Sequence, residues 1–414
     1  MTRALASHGI DVFTNPRAVG AAPFGAQQAA ILDRQGHAQA MAEMAAWPGY
    51  AETPLVSLDG LAARAGFDRI WYKDEGGRFG LGSFKALGGA YAVFRLLAKA
   101  IAERTGATDV TAADIVSGRY RDIVSGITVT CATDGNHGRS VAWGANLFGS
   151  RCVIYIHATV SQSRQEAIAA LGAEVVRTPG NYDDSVRVAA ADAETHSRFV
   201  VSDTSYDGYM DVPRDVMQGY TVMAAEALEQ LPEGERPTHI FVQGGVGGLA
   251  AAICAHVWDQ WGTARPRFVI VEPDQADCLY QSARNGGPTV VTGALDTIMA
   301  GLACGEVSPL AWDILDAGAD AFATISDAAA ADCMRLLASP AKGDTPIVAG
   351  ESAVAGLAGA LIARGSDTLS KELNLDGNSR LLVFGSEGAT DPAMYEKIVG
   401  RSADAVRSKA GGSA

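Results

Sequence analysis

A chain of 414 residues, 48% of them hydrophobic, is long enough to bury two or three domain cores and too apolar for disorder. Its 33 basic against 47 acidic residues give a net charge of −14, which argues against nucleic acid or an anionic membrane as partner and favours cationic or zwitterionic ligands. Six cysteines without a C-x-x-C pair and seven histidines without H-E-x-x-H spacing supply neither a disulfide framework nor a metal site, and they fit a reducing compartment. Met1 to Pro16 lack a basic segment followed by an apolar one, and no run of about 18 apolar residues occurs, so the expected location is the cytoplasm.

Residues 1 to about 49 read as irregular and then helical over Ala26 to Ala46, with packing or subunit contact as their role. Thr53 to Val56 and Arg69 to Lys73 are short strand candidates. They lead into Gly80-Leu81-Gly82-Ser83-Phe84-Lys85, where Ser83 is the expected N-cap of an apolar helix over Ala86 to Ala98. Gly88 and Gly89 would let another backbone approach that helix closely. A lysine held this way can be desolvated and become a nucleophile. Glu103 to Gly126 reads as a polar insertion with a short helix.

From Ile127 strands and helices alternate: ITVTCA, a helix after Asn136, CVIYI, a helix near Gln162 to Leu171, EVV, a helix near Tyr182 to His196, and FVV. A second alternation begins at Val212 with a long helix to Leu231, then HIFV, a helix after Gly247, RFVIVEP and later LLVFG. Such alternation specifies parallel sheets covered on both faces, with ligands at the carboxyl ends of strands. The fold expected is α/β, two doubly wound domains with the ligand in a cleft between them. Residues 1–85 and 205–414 would form a large domain and 86–204 a small one.

Three strand-turn-helix stretches carry chemistry besides the lysine turn. Gln243-Gly244-Gly245-Val246-Gly247-Gly248 closes a strand and opens a helix, so its backbone N–H groups can converge on a phosphate. The spacing Gly245-x-Gly247-x-x-Ala250, with Glu272 ending the next strand, also suits a nicotinamide dinucleotide, which keeps a dehydrogenase open as an alternative. Thr133-Asp134-Gly135-Asn136-His137-Gly138 is by itself a capped helix start, and Leu382-Val383-Phe384-Gly385-Ser386 places a serine where a strand ends.

Together the four stretches resemble the fold type II pyridoxal-phosphate enzymes, the tryptophan-synthase-β and threonine-dehydratase group, over about Tyr50 to Asp391. The resemblance implies pyridoxal 5'-phosphate as cofactor and Lys85 as the lysine that bonds it. It implies Asn136 beside the phenolic oxygen, Gly244, Gly245, Val246, Gly247 and Gly248 around the phosphate, and Ser386 at the pyridine nitrogen. Within the group the closer likeness is to the family of diaminopropionate ammonia-lyases. Its marks are Arg78-Phe79-Gly80-Leu81, Thr133 to Arg139, Asp203-Thr204-Ser205-Tyr206-Asp207-Gly208-Tyr209, and Met299 to Glu306. Tyr206 stands where members of that family carry tryptophan, a departure at the substrate pocket. A homodimer and an amino-acid substrate are implied too.

The likeness implies α,β-elimination of 2,3-diaminopropionate to pyruvate and two ammonia, with Lys85, Asp134 and Asp203 as catalytic residues. A neutral serine at the ring nitrogen favours passing charge quickly from the α-carbon to a leaving group. Asp134 replaces a small neutral residue of the threonine-dehydratase pattern, and a carboxylate there suits a substrate with a second ammonium. It is also placed to take the α-proton from the face opposite Lys85. A β-hydroxy-amino-acid dehydratase, a racemase and a catalytically inactive ligand-binding relative remain as alternatives. Read alone, Asp134 could be a helix N-cap and Asp203 a turn-forming residue.

Overall fold

The computed structural model describes residue 5 and residues 7–20, 22–133, 135–180 and 182–410. The chain divides into two compact units, one of Met1–Asp33, Thr53–Gly77 and Ala224–Ala414, the other of Arg34–Glu52 and Arg78–Met223.

The first unit is built on a seven-stranded sheet of order β1-β10-β9-β8-β11-β3-β2. Its strands are β1 Ile10–Thr14, β2 Leu55–Ser57, β3 Arg69–Asp74, β8 His239–Gln243, β9 Arg267–Pro273, β10 Ala321–Ile325 and β11 Arg380–Gly385. The five central strands run parallel, and the two edges, β1 on β10 and β2 on β3, are antiparallel. Every residue of β8 and β10 is buried, as continuous apolar strands covered on both faces must be. Ile70, Phe241, Val269 and Val271 join Leu357 and Leu361 of the Ala355–Arg364 helix in one core.

Two of these strands are not evident from the sequence. The fully buried β10 lies in an alanine-rich stretch whose small residues also suit a helix. The segment holding β1, read as irregular, is an edge strand with only partial burial along its length, so its apolar pattern is weak. The helix expected over Ala26 to Ala46 is broken into Ala26–Ala29 and Arg34–Ala45.

Beside β3 the first unit contains a dry ion pair. Lys73 Nζ lies 2.8 Å from Glu226 Oε2, and both side chains are fully buried. The ammonium also donates to the Thr53 oxygen at 2.6 Å and to Gln230 Oε1 at 3.1 Å, so its three hydrogens are all satisfied. Removing one partner strands a buried charge. Lys73→Met or Glu226→Leu is therefore expected to destabilise this unit by roughly 3–5 kcal/mol, and the double replacement by much less, as read from urea unfolding of the four variants.

The second unit holds a parallel four-stranded sheet, order β6-β5-β4-β7, made of β4 Thr128–Ala132, β5 Arg151–Ile156, β6 Glu174–Arg177 and β7 Phe199–Val200. Trp47 packs edge-on against Phe148 with centroids 5.5 Å apart, and Phe79 lies 4.7 Å from Trp143. The segment before Thr53 thus has a packing role. Phe79 adopts a left-handed conformation, φ +50°, held in place by these aromatic contacts.

Candidate active site

In the second unit, Lys85 begins the Lys85–Thr105 helix. The expected Ser83 cap does not form: Phe84 precedes the helix at φ −60°, ψ −19°, with no side-chain cap hydrogen bond. The chain is already helical there, whereas a capping side chain needs extended backbone to reach back. The first turn is tied instead to the Asn136–Phe148 helix, where Ser140 Oγ accepts from Ala90 N at 3.1 Å and donates to the Lys85 oxygen at 2.7 Å. The two glycines do permit close approach, since a Cβ on Gly89 would overlap Ser140 and one on Gly88 the Tyr220 ring.

The sheet delivers the partner of Lys85. Strands β4 and β7 are neighbours, so His137, in the helix after β4, meets Val201 and Asp203, after β7, at one sheet end. Lys85 Nζ donates to Asp203 Oδ2 at 2.5 Å, with the side chains 19% and 18% exposed. The ammonium also lies 5.4 Å from the Phe84 ring centroid and 5.9 Å from that of Tyr220. Burial alone would raise the Asp203 carboxyl, but the Lys85 ammonium, then His137, and the hydrogen bond from Lys85 hold it well below the usual carboxylate range. Asp203 therefore faces the amine with its charged form favoured. His137 Nε2 lies 2.7 Å from the Val201 oxygen, and its Nδ1 is 3.8 Å from Asp203 Oδ2.

Asn136 opens the helix after β4. The start of that helix is capped by Thr133, whose Oγ1 accepts from Gly135 N at 3.0 Å and Gly138 N at 3.1 Å. Asp134 lies outside the described residues.

In the first unit, β8 ends at Gln243 and the chain turns through Gly244 to Gly247 into the Gly248–Trp261 helix. Gly247 caps that helix at φ +98° with no side-chain cap hydrogen bond, and Gly245 sits at φ +75°. Both are left-handed conformations that a side chain would strain. Gly244 has no room for a Cβ, which would come within 2.5 Å of Glu272 Cγ. A turn of this form, at the positive end of a 14-residue helix, is a backbone cradle for a phosphate. On the adjacent strand Ser386 follows β11, and Gln243 Nε2 lies 2.5 Å from its Oγ.

Glu272 does not serve as a ribose ligand. It is fully buried, and its oxygens accept from Leu279 N at 3.1 Å and Tyr280 N at 2.7 Å. Burial pushes its carboxyl up to about 8 against those two bonds. The dinucleotide reading loses its acidic residue to the start of the Cys278–Asn285 helix.

Taken unit by unit, the residues present fit pyridoxal phosphate: the first unit has a backbone cradle that a Cβ would fill and a buried serine hydroxyl, and the second has an amine with its own carboxylate. Gly247→Asp tests the cradle. It adds strain of roughly 1–2 kcal/mol, a Cβ 3.0 Å from Ala311 Cβ, and a charge that repels phosphate. Cofactor retention in equilibrium dialysis is expected to fall at least tenfold.

Comparison with known proteins agrees. Residues 46–382 match the family described as "Pyridoxal-phosphate dependent enzyme". The chain is 41% identical over 393 residues to the diaminopropionate ammonia-lyase of Escherichia coli (strain K12), covering 93% of this chain and 94% of that one. Crystal structures of the Escherichia coli enzyme align over 95% of this chain and 97% of theirs. The selenomethionine holo form does so with TM-score 0.86 at 37% identity, and the complex with an aminoacrylate-PLP azomethine reaction intermediate with TM-score 0.81 at 38%. The chain belongs to the pyridoxal-phosphate-dependent enzymes and, within them, to the diaminopropionate ammonia-lyase family.

Proposed function

We propose that the chain catalyses α,β-elimination of 2,3-diaminopropionate, yielding pyruvate and two molecules of ammonia. The observation that carries this is the Lys85–Asp203 pair at 2.5 Å, which provides an amine able to bond a carbonyl cofactor and a carboxylate suited to an ammonium. Lys85 holds the cofactor, Gly244 to Gly248 its phosphate, Asn136 its phenolic oxygen and Ser386 its ring nitrogen. When bound, pyridoxal phosphate supplies an electron sink that acidifies the α-carbon of the substrate.

The chain's own groups do the rest. Lys85 Nζ carries the α-proton on its face, and Asp134 takes it from the other, which lets both enantiomers react. Asp203, its carboxyl held low by Lys85 and His137, keeps an ammonium beside it stable where the side chains are largely buried. A β-ammonium needs such a partner and a β-hydroxyl does not. The β-amine leaves as ammonia, and hydrolysis of the released aminoacrylate in water gives pyruvate and the second ammonia. We place the enzyme in the cytoplasm, a location that the free, mostly buried cysteines among the described residues favour, as a homodimer working in amino-acid catabolism; light scattering tests the dimer. Ammonia and pyruvate counted together test the reaction: two ammonia per pyruvate are expected from diaminopropionate, and ammonia without pyruvate would reject elimination.

A further inference from the structure

Gln243 and Ser386 stand at the carboxyl ends of the neighbouring parallel strands β8 and β11, 1% and 3% exposed. Gln243 Nε2 donates to the Phe384 backbone oxygen at 2.9 Å and to Ser386 Oγ at 2.5 Å. The Phe384 oxygen can only accept, so it fixes which end of the amide faces it; the reversed amide would set two acceptors together. Both amide hydrogens are thereby used. Gln243 Oε1 has no partner among the described residues, so the side chain is kept in a dry place for its two N–H groups alone.

The consequence lies at the serine. A hydroxyl has one hydrogen, and with Gln243 occupying a lone pair of Oγ, that hydrogen is left to donate elsewhere. We infer that Gln243 is a positioning residue that makes Ser386 a hydrogen-bond donor toward the ring nitrogen of the cofactor and keeps that nitrogen unprotonated. This rests on the assignment of Ser386 to the ring nitrogen under the proposed function. A serine without such a neighbour could turn either way, accepting from a protonated ring or donating to a neutral one. With Gln243 donating to Oγ, a protonated ring would leave the Ser386 hydrogen without an acceptor among the described residues, which disfavours the first choice. The ring then draws less charge from the α-carbon, which favours expulsion of the β-leaving group.

Glutamate at the same place reverses the polarity, because its carboxyl can accept the Ser386 hydrogen and leave Oγ to accept from the ring. The test loads the full-length protein with pyridoxal phosphate carrying ¹⁵N at the ring nitrogen and reads its chemical shift. Wild type is expected at the unprotonated pyridine position. Gln243→Glu is expected to move the signal toward pyridinium and to raise α-hydrogen exchange with solvent relative to elimination. Gln243→Met, which keeps size and removes the donor, is expected to give a shift that titrates with pH. A pyridinium signal in the wild type overturns the inference without any variant. A signal moved by Ser386→Ala but by neither Gln243 variant overturns the role of Gln243 while leaving Ser386 in place. A signal unmoved by Ser386→Ala overturns the serine assignment itself.

Discussion

Lys85→Ala is expected to leave a folded protein whose turnover of diaminopropionate falls by about 10²–10⁴-fold for the lost acid–base group alone, and further for the lost bond to the cofactor. Folding should survive, because the helix that Lys85 begins is held by Ser140, Gly88 and Gly89 and by a buried apolar face that includes Leu87, Ala90, Val93 and Leu97. Alanine is also the best helix former. The variant leaves Asp203 without its ammonium. Its carboxyl, no longer held low, then feels burial more strongly, and stability near neutral pH should drop modestly. Borohydride treatment of the wild type followed by peptide mapping checks the assignment separately. Cofactor fixed to the peptide containing Lys85 is expected, and fixation at another lysine would show it to be wrong.

Asp203→Asn is the second large effect. It replaces a charge-assisted bond worth about 1.5–3 kcal/mol, which predicts a loss of about 10- to 150-fold in kcat/KM. Part of the loss acts through Lys85 and is common to every substrate. The rest reflects the β-ammonium, so diaminopropionate should lose more than serine, and both of its enantiomers should lose alike. Equal losses on serine would confine Asp203 to supporting Lys85. The pH dependence has a definite sign. The folded carboxyl is depressed, with burial outweighed by Lys85 and His137. The native state thus binds fewer protons there than the unfolded chain, whose carboxylate titrates near about 3.9. Its contribution to stability is present above that value and lost as pH falls toward the folded one. An acid limb of activity in the neutral range is therefore not expected from Asp203, and wild type and Asp203→Asn should share it.

The parts legible in the sequence were those carried by local signals. The turn from Gln243 to Gly248 announces itself because left-handed backbone and a crowded Cβ position both demand glycine. Lys85 and Ser386 are marked by their place at a helix start and a strand end. What stayed hidden depends on pairing across the sheet. Asp203 lies 118 residues from Lys85, and the two meet because the helix that Lys85 begins is tied to the helix after β4, whose neighbour β7 leads to Asp203. Gln243 and Ser386 are 143 residues apart; a polar residue closing the buried run of β8 was the signal available for the former. Ser83 misled because its residue type suits a cap while the backbone beside it does not. Glu272 misled because a carboxylate near the end of a strand looks the same whether it faces a ligand or the start of the helix that follows.

The most direct measurement is kcat/KM of the purified, cofactor-loaded chain for both enantiomers of 2,3-diaminopropionate against serine and threonine, with pyruvate or 2-ketobutyrate formation as the readout. Diaminopropionate is expected to exceed both hydroxy-amino acids by at least tenfold, with each enantiomer turned over. Serine or threonine exceeding diaminopropionate would contradict the ammonia-lyase assignment and make the chain a hydroxy-amino-acid dehydratase.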